Sequence, residues 1–430
     1  MSLSDHPLPL HDLRIVDCST GLAAAFAAKL FAQYGADVIK IEPPTGDPMR
    51  QAGPFIDDEP GPNRSLLFNW LHAGQRSVAL DLDTDPGLAA LKQLLHGVDI
   101  LIDSDPLAPT QARGLDQPAL EDQFPNLITA TVTPFGLTGP YAGYEATHAV
   151  LHALGGWVHP MGEQDRPPVP SGPELGLVMT GVFTAFGIMQ ALRFRPQVGG
   201  QAVDVSTQEV IAATMIYDTV SFQYIGLQRQ RSGHALFNNI HNLGLHPSRD
   251  GYVGVYAPLS WQLRNLFEMM GKPELSDDER FRTPESRIAF ADDLQQEIVA
   301  FTETQDSLEF YHAAQARRLP FNFHPTAEQI FDSPHLNARG YFDRLPALAG
   351  QPTDAQPTDA QPASTIPVPG LPFRLDPGPL PGLQGSRDLP AAPSIGEQTH
   401  AALTAADVAP ATVAELIAGL TSALSNGAAQ

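Results

Sequence analysis

The apolar positions of the first 130 residues alternate between short blocks and longer stretches of helical period. Leu13-Arg-Ile-Val-Asp17 predicts a short buried strand. Ala23 to Tyr34 predicts a helix, closed by Gly35, a residue suited to a helix C-terminus. Asp37-Val-Ile-Lys-Ile41 predicts the next strand, and Glu42-Pro-Pro-Thr-Gly-Asp47 breaks it into a loop. The same order then repeats. Arg76 to Asp81 reads as a strand, Pro86 to Leu95 as a helix and Asp99 to Ile102 as a strand, with Leu127 to Val132 as a further buried strand. Strands alternating with helices predict an α/β fold on a doubly wound parallel sheet.

Beyond residue 170 the pattern changes. Thr180 to Leu192 is apolar with few polar interruptions, which predicts a helix buried on most sides. Ala202-Val-Asp-Val205 predicts a strand after the turn at Val198-Gly-Gly200. Ser206 to Ile225 predicts one long helix that leaves the first domain. Gly251 to Tyr256 predicts a strand in a new context, followed by helices at Trp261–Met270 and Asp292–Thr302. Together they make a smaller second domain from about Tyr224 to Pro320. Residues 351–360 hold a duplicated pentad, Gln-Pro-Thr-Asp-Ala, whose composition buries little and predicts a surface loop. Ala401 to Leu424 predicts two short helices.

Composition narrows the function. Forty-eight Asp and Glu against 25 Lys and Arg give a formal net charge of −23 in 430 residues. Such a surface repels nucleic acid and anionic membranes, so neither is expected as a partner. No run approaches about 18 apolar residues, so no membrane span is expected. The N-terminus lacks a basic region followed by an apolar run, so no signal peptide is expected. Cys18 is the single cysteine, which excludes an intrachain disulfide and fits a cytoplasmic location. His234, His241 and His246 follow no metal-ligand spacing, so no metal is expected.

Seven motifs carry a family resemblance. They are Tyr34-Gly-Ala-Asp-Val-Ile-Lys-Ile-Glu-Pro-Pro-Thr-Gly-Asp47, Arg76-Ser-Val-Ala-Leu-Asp81, and Pro134-Phe-Gly-Leu-Thr-Gly-Pro140 with Gly143-Tyr-Glu145. Gly199-Gly-Gln-Ala-Val-Asp-Val-Ser206, Ser333-Pro-His-Leu-Asn-Ala-Arg-Gly340, Pro369-Gly-Leu-Pro-Phe-Arg374 and Ser394-Ile-Gly-Glu-Gln-Thr399 complete the set. In this order and spacing the chain resembles the family III CoA-transferases, which move coenzyme A between carboxylic acids. The resemblance implies an open, Rossmann-like parallel sheet built from both chain ends, a smaller inserted α+β domain, and an interlocked homodimer. It divides the chain into a large domain at 1–205, a linker helix at 206–224 and a small domain at 225–320. A second linker follows at 321–350, then a Pro/Gln repeat loop at 351–365 and a return to the large domain at 366–430.

The same resemblance locates the active-site segment at Ser171 to Ile188. The family's nucleophilic aspartate attacks an acyl-CoA thioester and carries the acyl group as an anhydride. Its place is taken here by Leu177, which has no nucleophilic atom. Glu174, three residues earlier, is the candidate substitute, which requires the loop to be rebuilt; the alternative is that Leu177 packs an abandoned pocket or a subunit contact. Lys40, Arg76, Ser104 and Arg113 are the expected CoA contacts. Asp105 would set negative charge near the phosphates, and Ala23-Ala-Ala25 replaces a turn near the pantetheine. The segment Arg231 to Asn242 holds one glycine where the family has a glycine-rich lid. Tyr144-Glu145 stands where acyl-CoA racemases of the same superfamily carry a His-Asp base, which leaves a racemase as the weaker alternative. The expected protein is therefore a CoA-transferase-like chain with a degenerate active site. Its rival is a non-catalytic homologue or a subunit paired with an active paralogue. No cofactor is expected beyond a CoA thioester as ligand or substrate.

Overall fold

The computed structural model describes residues 8–233, 243–346, 365–373 and 386–427. These fall into two compact units. One comprises Met1–Leu151, Pro173–Ile211 and Pro334–Gln430, and the other His152–Gly172 and Ala212–Ser333.

The first unit is built on six parallel strands: β1 (Arg14–Asp17), β2 (Asp37–Glu42), β3 (Arg76–Ala79), β4 (Ile100–Asp103), β5 (Ile128–Thr133) and β6 (Ala202–Ser206). Their order across the sheet is β3-β2-β1-β4-β5-β6. The order reverses between β1 and β4, which opens a crevice at their carboxyl ends. In chain order up to residue 225 the described α-helices are α1 (Leu22–Gln33), α2 (Leu66–Leu71), α3 (Asp85–Leu94), α4 (Leu107–Arg113), α5 (Gln117–Glu121), α6 (His148–Leu154), α7 (Pro173–Val198), α8 (Thr207–Thr214) and α9 (Ile216–Ile225), the last of them in the second unit.

Successive strand residues point to opposite faces, so each strand feeds two cores. Val16, Ile39 and Leu101 meet Leu91 of α3 and Leu403 of the C-terminal helix Thr399–Ala405 on one face. Ile15, Val38 and Ile100 meet Phe31 of α1 and Ile188 of α7 on the other. The chain's end closes the sheet edge. β3 is an edge strand, yet its Ser77 N–H donates to Gln398 Oε1 (2.7 Å) and its Ala79 N–H to Thr399 Oγ1 (2.9 Å). The free edge is thereby occupied by residues some 320 positions later. A two-stranded antiparallel ribbon, β10 (Phe342–Pro346) with β11 (Thr365–Pro369), belongs to the same unit.

Two helix expectations need correction. The apolar run at Thr180–Leu192 is the middle of a 26-residue helix, α7, that starts at Pro173. It is not buried on most sides. Gly176, Thr180, Gly181, Thr184, Ile188 and Ala191 form one buried stripe, while Val182, Phe183, Phe186 and Met189 are exposed. Helix α1 and strands β5 and β6 are the elements packed against α7. By length and composition α7 could cross a bilayer, and it is the one described helix that could. Its buried stripe packs instead on α1 and the sheet. A Cβ on Gly181 would lie 2.6 Å from the Ala23 carbonyl oxygen, so glycine is what permits that approach. The expected single helix over Ser206–Ile225 is two, α8 and α9, parted at Met215. Met215 adopts ψ 29° and its N–H turns to Ala212 O, three residues back, which ends the α-helical ladder. None of the residues of α9 is buried, and Ile216, Tyr217, Phe222, Tyr224 and Ile225 all stand exposed.

The second unit holds an antiparallel sheet of β7 (Leu243–Ser248), β8 (Gly251–Tyr256) and β9 (Asn322–Phe323). Val253 and Val255 of β8 pack against Leu266, Phe267, Ile298 and Phe310 from the surrounding helices. The repeated pentad of 351–360 lies outside the described residues.

Candidate active site

The crevice between β1 and β4 is assembled from two strand ends. β1 ends at Asp17, and Cys18 continues the pairing by donating its N–H to Ile102 O (2.8 Å). Gly21, at φ 87°, then turns the chain into α1. β4 ends at Asp103, and the next residue, Ser104, accepts the Thr20 N–H at 2.8 Å. The Asp103 carboxylate shapes its own loop. It accepts the N–H groups of Ser104 (2.8 Å) and Asp105 (3.2 Å) and the hydroxyl of Thr110 (3.2 Å). Burial, and then the Asp105 carboxylate, push the Asp103 carboxyl up to about 6 against the opposing hydrogen bonds. Burial likewise pushes the Cys18 thiol well up, with Asp103 and Asp17 adding to it. Cys18 is therefore held as a thiol and is a poor nucleophile.

Each cation near this edge already has carboxylate partners. Lys40 is fully buried, donates to the Ser19 carbonyl and lies 3.0 Å from Asp47 Oδ2 and 3.7 Å from Asp17 Oδ2. Burial alone would lower its pKa, but the carboxylates of Asp17, Asp47 and Glu42 outweigh that and hold the ammonium above its usual value. Arg50, also buried, chelates Glu42 with two bonds of 2.8 Å and stacks on Phe68. Arg113, on α4, divides its guanidinium between Asp105 and Asp83. Arg76 stands elsewhere: it opens β3 at the amino edge of the sheet and is bound by Asp37. The structure thus brings Lys40, Ser104 and Arg113 toward the carboxyl edge and leaves Arg76 on the opposite one. Acids dominate that carboxyl edge, which opposes the docking of a polyanion.

Position 177 lies in the second turn of α7. Leu177 is half-buried and joins two apolar clusters, one with Ala23, Ala24 and Ile188 and one with Leu22, Ala25, Met49 and Phe68. Glu174, in the first turn, is exposed. Ala23 to Ala25 form the first turn of α1. Tyr144 is an exposed ring stacked on Tyr141. The stretch 234–242, with His234, His241 and most of the expected lid segment, lies outside the described residues, and His246 is buried in β7. Sequence reasoning missed Asp103 as a perturbed group. Its signal was an acid closing an otherwise apolar strand, Ile100-Leu-Ile-Asp103.

The order of the strands, the return of the C-terminal segment and the crevice motifs define a class, and residues 10–399 match the family model of CoA-transferase family III. The chain belongs to that family. It is 32% identical over 342 residues to the succinyl-CoA–D-citramalate CoA-transferase of Chloroflexus aurantiacus, spanning 79% of this chain and 84% of that enzyme. It is 33% identical over 245 residues to subunit BbsE of the succinyl-CoA:(R)-benzylsuccinate CoA-transferase of Thauera aromatica, spanning 57% of this chain and 58% of that subunit. Among solved structures, a CAIB/BAIF family protein from Brucella suis superposes with a TM-score of 0.78 at 25% identity, covering 94% of this chain and all of that one.

Proposed function

We propose that this chain is a family III CoA-transferase-type subunit whose own active site no longer carries an acyl group on a carboxylate. The observation that carries the reading is Leu177, a hydrocarbon packed among hydrocarbons where the family's nucleophile is expected. The acidic carboxyl edge supports it, because Arg113 and Lys40 must leave carboxylate partners before they can serve a phosphate. Ser104, Lys40 and Arg113 form the residual CoA-facing set, and Arg76 has no part in it. Glu174 is the nearest carboxylate in sequence that could substitute. The test is incubation with succinyl-CoA followed by hydroxylamine or borohydride trapping and peptide mass spectrometry. We expect no carboxylate adduct, and weak or undetectable CoA binding by calorimetry. An adduct at Glu174, or submicromolar CoA affinity at physiological salt, overturns the reading.

A second reading is favoured by the uncovered apolar residues of α7 and, separately, of α9. In this reading the chain works as an interlocked dimer, with itself or with a paralogue that retains the aspartate, in the cytoplasm. The relative named BbsE is itself called a subunit, in keeping with a heteromer. Light scattering on dilution and co-purification test it, and a stable monomer of about 46 kDa counts against it.

A further inference from the structure

A nucleophile-and-base pair stands in the unit that contains His152–Gly172. The Ser171 hydroxyl lies 2.9 Å from His152 Nδ1. His152 is fully buried in α6, and its imidazole packs 5.1 Å from the Trp157 ring. Trp157 is itself fixed, its indole N–H donating to Thr214 Oγ1 at 2.7 Å and its backbone N–H to His152 O at 3.0 Å. Ser171 is part-exposed at the end of the exposed segment 163–170, so a solvent-borne electrophile can reach it. A serine hydroxyl is a weak nucleophile until a base within hydrogen-bond reach takes its proton, and a rigidly held imidazole nitrogen meets that condition.

We propose that Ser171 and His152 form an acyl-transfer dyad acting on small acyl esters and thioesters, with water as the final acceptor. Ser171 Oγ attacks the carbonyl carbon while its proton passes to His152 Nδ1. The carbon–sulfur or carbon–oxygen bond breaks, and the departing thiolate or alkoxide takes the proton from the imidazolium. Water then attacks the seryl ester as His152 accepts its proton, the bond from the carbonyl carbon to Ser171 Oγ breaks as the imidazolium returns that proton to Oγ, and the carboxylic acid and the free serine are released. The step needs no carboxylate at position 177 and does not rest on the transferase reading.

The test uses the full native chain and a fluorophosphonate probe, with the labelled peptide mapped by mass spectrometry and p-nitrophenyl acetate hydrolysis followed in parallel. We expect a stoichiometric adduct on Ser171, its absence in Ser171→Ala, and hydrolysis lost in the same variant. His152→Gln keeps a polar partner for the hydroxyl without the base, and its labelling rate should fall about a hundredfold or more. Circular dichroism of both variants reports whether they fold, and the wild-type adduct map depends on neither. No adduct on Ser171 in the folded wild-type chain overturns the proposal. So does His152→Gln labelled at the wild-type rate, because Ser171 then reacts through exposure alone. A carboxylate adduct with succinyl-CoA would overturn the reading of an inactive transferase site and leave this one untouched.

Discussion

Replacing Asp103 by Asn should stabilise the protein at neutral pH and leave it unchanged in acid. Asp103 closes β4 with 8% of its surface exposed. Burial and the neighbouring Asp105 raise its carboxyl from 3.8 to about 6. A carboxyl raised in this way binds a proton in the folded chain across a window where the unfolded chain does not. Stability therefore falls as pH climbs from about 4 to about 6, and the deficit is complete above that. At roughly 1.4 kcal/mol for each pH unit, the window is worth about 3 kcal/mol. Asparagine is never charged and fits the same contacts. Its Oδ1 keeps the N–H groups of Ser104 and Asp105, and its amide can donate to Thr110 Oγ1. The threonine hydroxyl then turns to Pro106 O, already 3.1 Å away. Urea unfolding at fixed protein concentration, in a Trp157→Phe, Trp261→Phe background that leaves Trp70 to report on this unit, gives the comparison at each pH. Equal stability near pH 4 and a gain of about 2–3 kcal/mol at pH 8 are expected. A constant difference across pH, or a variant weaker than wild type at pH 8, refutes the reasoning.

Two further outcomes follow from buried neighbours. Lys29 is 4% exposed, sits 4.7 Å from the Trp70 ring centroid and has no hydrogen-bond partner for Nζ among the described residues. Burial lowers its pKa to about 7, against the pull of Asp343. The unfolded chain thus holds the extra proton between about 7 and 10.5, and wild-type stability rises with pH through that window. Lys29→Met should be more stable by up to about 4 kcal/mol at pH 7, with the gap closing toward pH 10.5 in denaturant titrations. Gly181→Ala should do the opposite. Its methyl would meet Ala23 O at 2.6 Å and Phe26 Cβ at 2.8 Å, so α1 and α7 must part. That costs about 1–3 kcal/mol against a helix-propensity gain of about 1 kcal/mol. A raised melting temperature would refute the packing argument.

The strands were legible because each is a short apolar block bounded by turn residues, and every one of β1 to β6 lies within two residues of its predicted ends. The start of α7 was not. Its first turns, Pro173-Glu-Leu-Gly-Leu177, carry no unbroken apolar run, although proline suits a first helical position. The exposed side of α7 was unreadable for another reason: an apolar side chain records that something covers it, not which chain does. At the site, Leu177 was legible as a single residue against a motif. The pairing of Lys40 with Asp17 and Asp47 was not, because the three come from β1, β2 and the following loop and meet only when the sheet registers. The place of Arg76 was not legible either. The first residue of a parallel strand points to the amino edge, and Asp37, first in β2, waits there for it.

On the proposed reading, Leu177 in the place of the family's aspartate and the acids at the crevice act in one direction. A half-buried leucine on Leu22, Met49 and Phe68 contributes on the order of 1 kcal/mol of apolar burial that a carboxylate would forfeit. Asp105 and Asp83 hold Arg113 in a geometry that a phosphate would have to break, exchanging two carboxylate partners for one ligand. On that reading, a phosphate at this edge must compete with the carboxylates that already hold Arg113 and Lys40. The fold that positions the crevice is nonetheless intact, from the strand reversal at β1 and β4 to the tail on β3. On the proposed reading, the exposed apolar residues of α7 and, separately, of α9 are the surfaces such a subunit would offer a partner chain.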